Sequence, residues 1–102
     1  MPEDLILGVV MDELDLIEPN LLIINALEGN QPAGIIRLAG ITGLPRHKVR
    51  YSLRLLENAG IIEATTGGAR LADGYKEYVA LLASGLDSIS GRASGIKSRL
   101  TT

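Results

Sequence analysis

Residues 33–63 read AGIIRLAGITGLPRHKVRYSLRLLENAGIIE, and this stretch decides the fold of the 102-residue chain. It predicts a short helix over residues 33–39, a turn bracketed by glycines, and a second helix over residues 45–58 that opens on a proline. Three apolar residues of the second helix are spaced four and three and should face a core: Val49, Leu53 and Leu56. We therefore expect two helices joined by a tight turn, with the second helix exposing its polar side.

The residues that follow predict a β-hairpin and a further helix. Residues 61–65 and 69–72 form two short strands, and Thr66-Gly67-Gly68 forms the turn between them. Asp73 is expected to cap the N-terminus of the final helix.

The residues before this stretch predict two helices separated by a proline. Residues 1–18 form an amphipathic helix with Glu3 and Asp4 near its N-terminus. Its apolar residues are spaced by three and four: Leu5, Ile6, Val9, Val10, Leu14 and Ile17. Pro19 is expected to end this helix and begin a second one, which Gly29 ends. That second helix buries one apolar stripe: Leu21, Ile24 and Leu27.

The C-terminal segment, residues 74–102, has the clearest periodicity. Its apolar residues alternate in spacings of four and three, which is typical of a coiled-coil seam: Tyr75, Val79, Leu82, Leu86, Ile89, Ala93, Ile96 and Leu100. A helix over this segment is about 40 Å long, longer than a small domain can cover, so we expect it to pair with a second copy. Glycines at 85, 91 and 95 each lower helix stability by about 1 kcal/mol, which predicts fraying or kinking after Ser88 in an isolated helix.

The formal net charge of −2 conceals three blocks. Residues 1–30 contain seven acidic residues and no basic one, whereas residues 31–56 contain five basic residues and no acidic one. Residues 57–102 contain five of each sign. Because salt screens charges beyond roughly 8 Å, each block sets the potential of its own surface.

Composition excludes several classes of protein. The chain has no cysteine and one histidine, His47, so disulfides, thiolate metal sites and histidine metal clusters are excluded. No nucleophile–base pair can be assembled, and we expect no catalytic residue, metal or cofactor. No apolar run is long enough to cross a membrane, and no basic, apolar leader suggests export, so a cytoplasmic location is expected.

Residues 20–83 resemble a known family, the winged helix-turn-helix transcriptional regulators of bacteria and archaea (the MarR/ArsR-like superfamily). Leu56-Glu57-Asn58-Ala59-Gly60-Ile61-Ile62 resembles the family's exit from the second helix into the wing, "L-E-x-x-G-L-I". Residues 70–75 resemble the "L-T-x-x-G" entry into its last helix, with Ala72 in place of threonine and one residue fewer. The resemblance implies a mainly α fold with a small β-hairpin wing, in which residues 19–73 form the winged-helix core between an N-terminal helix and a C-terminal dimerisation helix.

The resemblance also implies that the helix over residues 45–58 is a recognition helix for double-stranded DNA. An α-helix fits the major groove, where arginine can donate two hydrogen bonds to guanine. The residues expected to contact DNA are Arg46, His47, Lys48, Arg50, Tyr51 and Arg54, with Arg70 on the wing. Arg46 and Lys48 can instead bind phosphate at the helix N-terminus.

These observations favour a sequence-specific transcriptional regulator that acts as a homodimer. Its dimerisation residues are expected to be Tyr75, Val79, Leu82, Leu86, Ile89 and Ile96. One alternative is a winged helix used for protein–protein contact, which the acidic first block favours. Another is a non-specific architectural DNA-binding protein, although the pI of about 5.3 is low for that role. A small-molecule effector and the orientation of the dimer stay open.

Overall fold

The computed structural model describes the backbone of residues 5–101 and the side chains of residues 7–101. Glu3 and Asp4, expected at the start of the first helix, lie outside the described residues, as do the side chains of Leu5 and Ile6. The elements in chain order are α1 (Leu5–Asn30), α2 (Ile35–Thr42), α3 (Arg46–Asn58), β1 (Ile62–Thr65), β2 (Gly68–Leu71) and α4 (Tyr75–Thr101). The chain divides into two compact units, the first ending at Ala72 and the second beginning at Asp73.

The helix break expected at Pro19 is wrong, because α1 is one helix of 26 residues with Pro19 inside it. Proline has no N–H, so the carbonyl of Asp15 cannot receive its usual hydrogen bond from residue 19. An unpaired carbonyl is tolerated where water can reach it, and Asp15 is an exposed residue. Ile23 and Leu27 follow Pro19 in α1 and are fully buried. Their burial outweighs the local preference for a break, and α1 continues to Asn30, past the expected end at Gly29.

The core of the first unit is aliphatic and draws on α1, α2, α3 and the hairpin. Its fully buried large side chains are Ile23, Ile24, Leu27, Leu38, Val49 and Leu56. Ile61, Ile62 and Leu71 extend it beneath the hairpin. Of the stripe expected in α1, Ile24 and Leu27 are buried, whereas Leu21 is only half-buried.

The turn between α2 and α3 is three residues long, residues 43–45, because α2 continues through Gly40 to Thr42, past its expected end at Ala39. Gly43 has a φ of 77° and its N–H donates to the carbonyl of Ala39, so it ends α2 in the left-handed conformation that glycine favours. The Thr42 hydroxyl accepts a bond from the Leu44 N–H at 3.2 Å, which holds the turn. Pro45 precedes α3 in an extended conformation, and its carbonyl accepts the N–H of Val49 at 3.1 Å.

The hairpin is antiparallel, with Ile62 opposite Leu71 and Thr65 opposite Gly68. The limits of β1 and β2 differ by no more than one residue from those expected from the sequence. The segment before α2 pairs with the other edge of β2, through an isolated bridge between Ala33 and Ala69. Ala33 therefore does not begin α2, which starts at Ile35, two residues later than expected.

The second unit is the helix α4, which has 27 residues. It runs through Gly85, Gly91 and Gly95 without a break. Glycine lowers helix stability but adopts helical dihedral angles without strain, so a continuous helix is allowed. An acidic residue in its first turn and Arg99 in its last complement the helix dipole. None of its described residues is buried.

Candidate nucleic-acid interface

The buried side of α3 fixes which of its residues meet solvent. Val49, Ser52 and Leu56 are buried, and Leu53 is half-buried. Ser52 is not expected in the core from the sequence, because periodicity arguments search for apolar residues only. All six residues expected to contact DNA from this helix are exposed: Arg46, His47, Lys48, Arg50, Tyr51 and Arg54. They are therefore available to a ligand, while the opposite side anchors α3 to α1 and α2.

A groove of about 420 Å³ lies between α3 and the hairpin. Arg50 and Arg54 line its α3 side, and Thr65 and Gly68 line its hairpin side. Ala33, Gly34 and Ile35 close it at the N-terminus of α2. The groove also includes one carboxylate, that of Glu57.

A second groove, of about 640 Å³, lies between the start of α2 and the start of α3. Its cationic residues are Arg37, Arg46 and Arg50, and its apolar residues include Ile36. Arg50 lines both grooves, so the two form one cationic surface, which we call the arginine surface: Arg37, Arg46, Arg50 and Arg54. Arg37 is not among the residues that the sequence predicts to contact DNA, although it belongs to the basic block.

The structure does not bring all the expected α3 residues into these grooves. His47, Lys48 and Tyr51 instead line a cavity of about 360 Å³ against α1. Its other lining residues are Asp15, Leu16, Pro19 and Ser52. The exposed side of α3 therefore has an arginine flank toward α2 and the hairpin, and a mixed polar and apolar flank toward α1.

The first turn of α3 has a charge pattern that opposes helix stability. Arg46, His47 and Lys48 occupy that turn, and none of its residues is acidic. The N-terminus of a helix carries a partial positive charge, so each cation there destabilises the helix by roughly 0.3–1 kcal/mol, whereas an anion stabilises it. The Pro45 side chain makes no capping hydrogen bond to this turn. The turn therefore favours a bound anion such as a phosphate group.

Arg37 is oriented by the C-terminus of α1. Its Nη2 donates to Oδ1 of Asn30 at 3.3 Å, and Nδ2 of Asn30 donates to the Ala26 carbonyl at 2.9 Å. This chain of hydrogen bonds starts at α1 and ends on a cation of the arginine surface. The guanidinium remains exposed and has further N–H donors for a ligand.

On the hairpin, Arg70 faces solvent from β2, while its neighbours Ala69 and Leu71 are buried. Nε of Arg70 lies 3.3 Å from Oε2 of Glu63, the residue directly opposite in β1. Both side chains are about half exposed, so this ion pair is weak and can exchange with another anion. The hairpin thus presents one cation whose charge is partly balanced.

Among the described residues, no three His, Cys, Asp or Glu side chains are grouped so that they could hold a metal ion. No described helix is both long and apolar enough to cross a membrane. Comparison with protein-family models finds no match to this chain, and comparison with curated proteins finds no significant relative.

Proposed function

We propose that the protein is a sequence-specific transcriptional regulator that binds double-stranded DNA as a homodimer. In this proposal the first unit is a winged helix-turn-helix, α3 is the recognition helix in the major groove, and the hairpin is the wing. The element order supports it, because α2, α3, the hairpin and α4 follow one another as the family resemblance implies.

The observation that carries the proposal is the arginine surface. Four arginine residues line two adjoining grooves, and Arg50 borders both. These exposed arginines, three on α3 and one on α2, add nothing to the core, and the cations in the first turn of α3 act against the helix dipole. The phosphates of DNA would neutralise both the cations and the partial positive charge of the helix N-terminus. Guanine accepts the bidentate hydrogen bonds that arginine donates.

The homodimer rests on α4. Six residues expected at its seam remain at least partly exposed, and Ile89 and Ile96 are nearly half exposed: Tyr75, Val79, Leu82, Leu86, Ile89 and Ile96. An apolar stripe along a helix of about 40 Å gains free energy when a second helix covers it. Dimerisation also supplies two half-sites, so the affinity for a two-part operator exceeds that of one recognition helix.

The direct test is selection of bound sequences from a random duplex pool, followed by anisotropy titrations at several salt concentrations. A specific regulator enriches a two-part motif. If each protomer contacts about four to five phosphates, the slope of log K against log salt is about −7 to −9 for the dimer. No measurable binding at low salt would refute DNA binding altogether.

Charge reversal tests whether the arginine surface binds the DNA. Arg50→Glu with Arg54→Glu is expected to abolish DNA binding without unfolding the protein, since both side chains are exposed. The matched control is Arg50→Lys with Arg54→Lys. It keeps the positive charge but removes the bidentate hydrogen bonds that arginine can donate to guanine. The control should retain low-salt affinity and lose discrimination between selected and random duplexes. Equal affinity of the unaltered protein for both duplexes would instead indicate a non-specific architectural protein.

A second candidate function is protein–protein contact, which the exposed acidic residues of α1 favour: Asp12, Glu13, Asp15 and Glu18. The double variant Arg50→Glu with Arg54→Glu distinguishes protein–protein contact from DNA binding. A module that binds a protein through α1 tolerates Glu at positions 50 and 54, because those positions lie on the other flank of α3. A DNA-binding protein does not tolerate it.

A further inference from the structure

The charges of α4 and the residues flanking it are separated by sign along the chain. Residues 73–87, which we call the acidic half, contain three acidic residues and one basic one: Asp73, Glu77, Asp87 and Lys76. Residues 88–102, the basic half, contain three basic residues and no acidic one: Arg92, Lys97 and Arg99. The net charges are thus −2 and +3.

This separation distinguishes the two ways in which two α4 helices can pair. The three cations span about 10 Å of helix axis, so a parallel pair would place six cations at one end, within about one screening length of each other. An antiparallel pair places each basic half beside the acidic half of the other copy. Opposite charges across a helix pair favour it and like charges disfavour it.

The sizes of the apolar residues favour the same arrangement. In a parallel pair each residue meets its own copy, so Ala93 faces Ala93 and leaves the seam underfilled at that layer. In an antiparallel pair with full overlap, Leu82 faces Ala93, Val79 faces Ile96 and Leu86 faces Ile89. Each layer then contains at least one large side chain.

We infer that two copies of the chain pair through α4 in antiparallel orientation, with Val79 of one copy against Ile96 of the other. This inference rests on the proposed homodimer and adds its orientation. The N-termini of the two α4 helices then lie about 38 Å apart along the axis of the pair, since 25 residues separate Tyr75 from Leu100.

Cysteine cross-linking tests the orientation, because the natural chain has no cysteine. Val79→Cys and Ile96→Cys are prepared separately and as an equimolar mixture unfolded and refolded together, and each sample is oxidised mildly. In the antiparallel pair, position 79 lies about 25 Å from position 79 of the other copy, so neither single variant forms a disulfide dimer. The mixture forms one, through unlike chains. Self-linking of either single variant, or absence of the mixed dimer, overturns the inference.

Sedimentation of the same variants under reducing conditions separates this inference from the proposed function. A monomer at tens of micromolar refutes the homodimer and the orientation together. A dimer whose single variants link to themselves refutes the orientation alone and leaves the homodimer standing.

A charge substitution gives a second, independent test of the antiparallel orientation. In the antiparallel pair Lys76 faces the basic half of the other copy, so Lys76→Glu exchanges a repulsion for an attraction. The dimer dissociation constant is expected to fall about two- to fivefold. Ser84→Glu, at an exposed site on the opposite side of the helix from the seam, is the comparison and should lower the dissociation constant less, because its charge lies farther from the other helix. A dissociation constant that does not fall with Lys76→Glu contradicts the antiparallel pair.

Discussion

Ala33 and Ala69 exchange two backbone hydrogen bonds, with nitrogen–oxygen distances of 3.0 and 2.8 Å. They join the segment before α2 to β2, so the hairpin is attached directly to the chain that leads into the helices. The side chain of Gln31 extends the attachment, because its Oε1 accepts the N–H of Leu71 at 2.7 Å. The hairpin side of the groove beside α3 is therefore positioned by backbone contacts.

Gly68 lies within this junction, and we predict that Gly68→Ala destabilises the protein severely. Its φ is 126°, and a Cβ there would lie 2.4 Å from the carbonyl carbon of Ala33. Because that neighbour is paired backbone, it cannot move aside without breaking the hydrogen bonds to Ala69. We expect a loss of more than about 2 kcal/mol in the free energy of unfolding, measured by urea denaturation.

Gly40→Ala is the control for that substitution. Gly40 is in α2, and a Cβ there meets nothing within 4 Å, so alanine should raise the free energy of unfolding by roughly 0.5–1 kcal/mol. Equal effects of the two alanines would contradict the close packing of Gly68 against Ala33.

The elements whose limits could be predicted from the sequence are those set by local chemistry. Pro45 marks the start of α3 and the adjacent glycines mark the tip of the hairpin, so these limits follow from the sequence to within one residue, whereas α2 ends three residues past its expected end. The Ala33–Ala69 pairing could not be predicted, because it joins distant parts of the chain through backbone atoms that carry no pattern. It also explains why α2 begins late.

The candidate site could be predicted in composition but not in arrangement. The run of bases without acids identifies α3, and the buried Val49 and Leu56 confirm which side faces the core. The division of α3 into two flanks depends on where α1 passes, and α1 passes there because it continues through Pro19. Periodicity within α3 contains no information about its neighbours.

Pro19→Ala tests the continuity of α1. In the interior of a helix, proline costs about 3 kcal/mol relative to alanine, through the lost hydrogen bond and the clash with the preceding turn. Since Pro19 is inside α1, we expect alanine to raise the free energy of unfolding by about 1–3 kcal/mol, measured by thermal or urea denaturation. A decrease would indicate that a break at Pro19, or its place in the cavity beside Tyr51, matters more than helix continuity.

Gly91→Ala with Gly95→Ala tests the helical state of the basic half of α4. Both glycines are exposed and lie off the apolar seam, and a Cβ added at either position would meet nothing within 4 Å. Each substitution should favour the helix by about 1 kcal/mol, so helix content by circular dichroism and dimer affinity should both increase. Unchanged helicity with weaker dimerisation would show that the small residues themselves are needed for close approach of the helices.

Arg46→Gln tests whether the first turn of α3 serves binding at the expense of stability. Removing a cation from the helix N-terminus should raise the free energy of unfolding by roughly 0.3–1 kcal/mol. It should also weaken DNA binding and reduce the magnitude of the salt slope by about 2 per dimer, since each protomer loses one phosphate contact. Lys48→Gln is the matched comparison, because Lys48 lies in the same turn but lines the cavity against α1. It should give a similar gain in stability and a smaller loss of DNA affinity. If Arg46→Gln lowers stability and leaves DNA affinity unchanged, Arg46 supports the fold rather than a ligand.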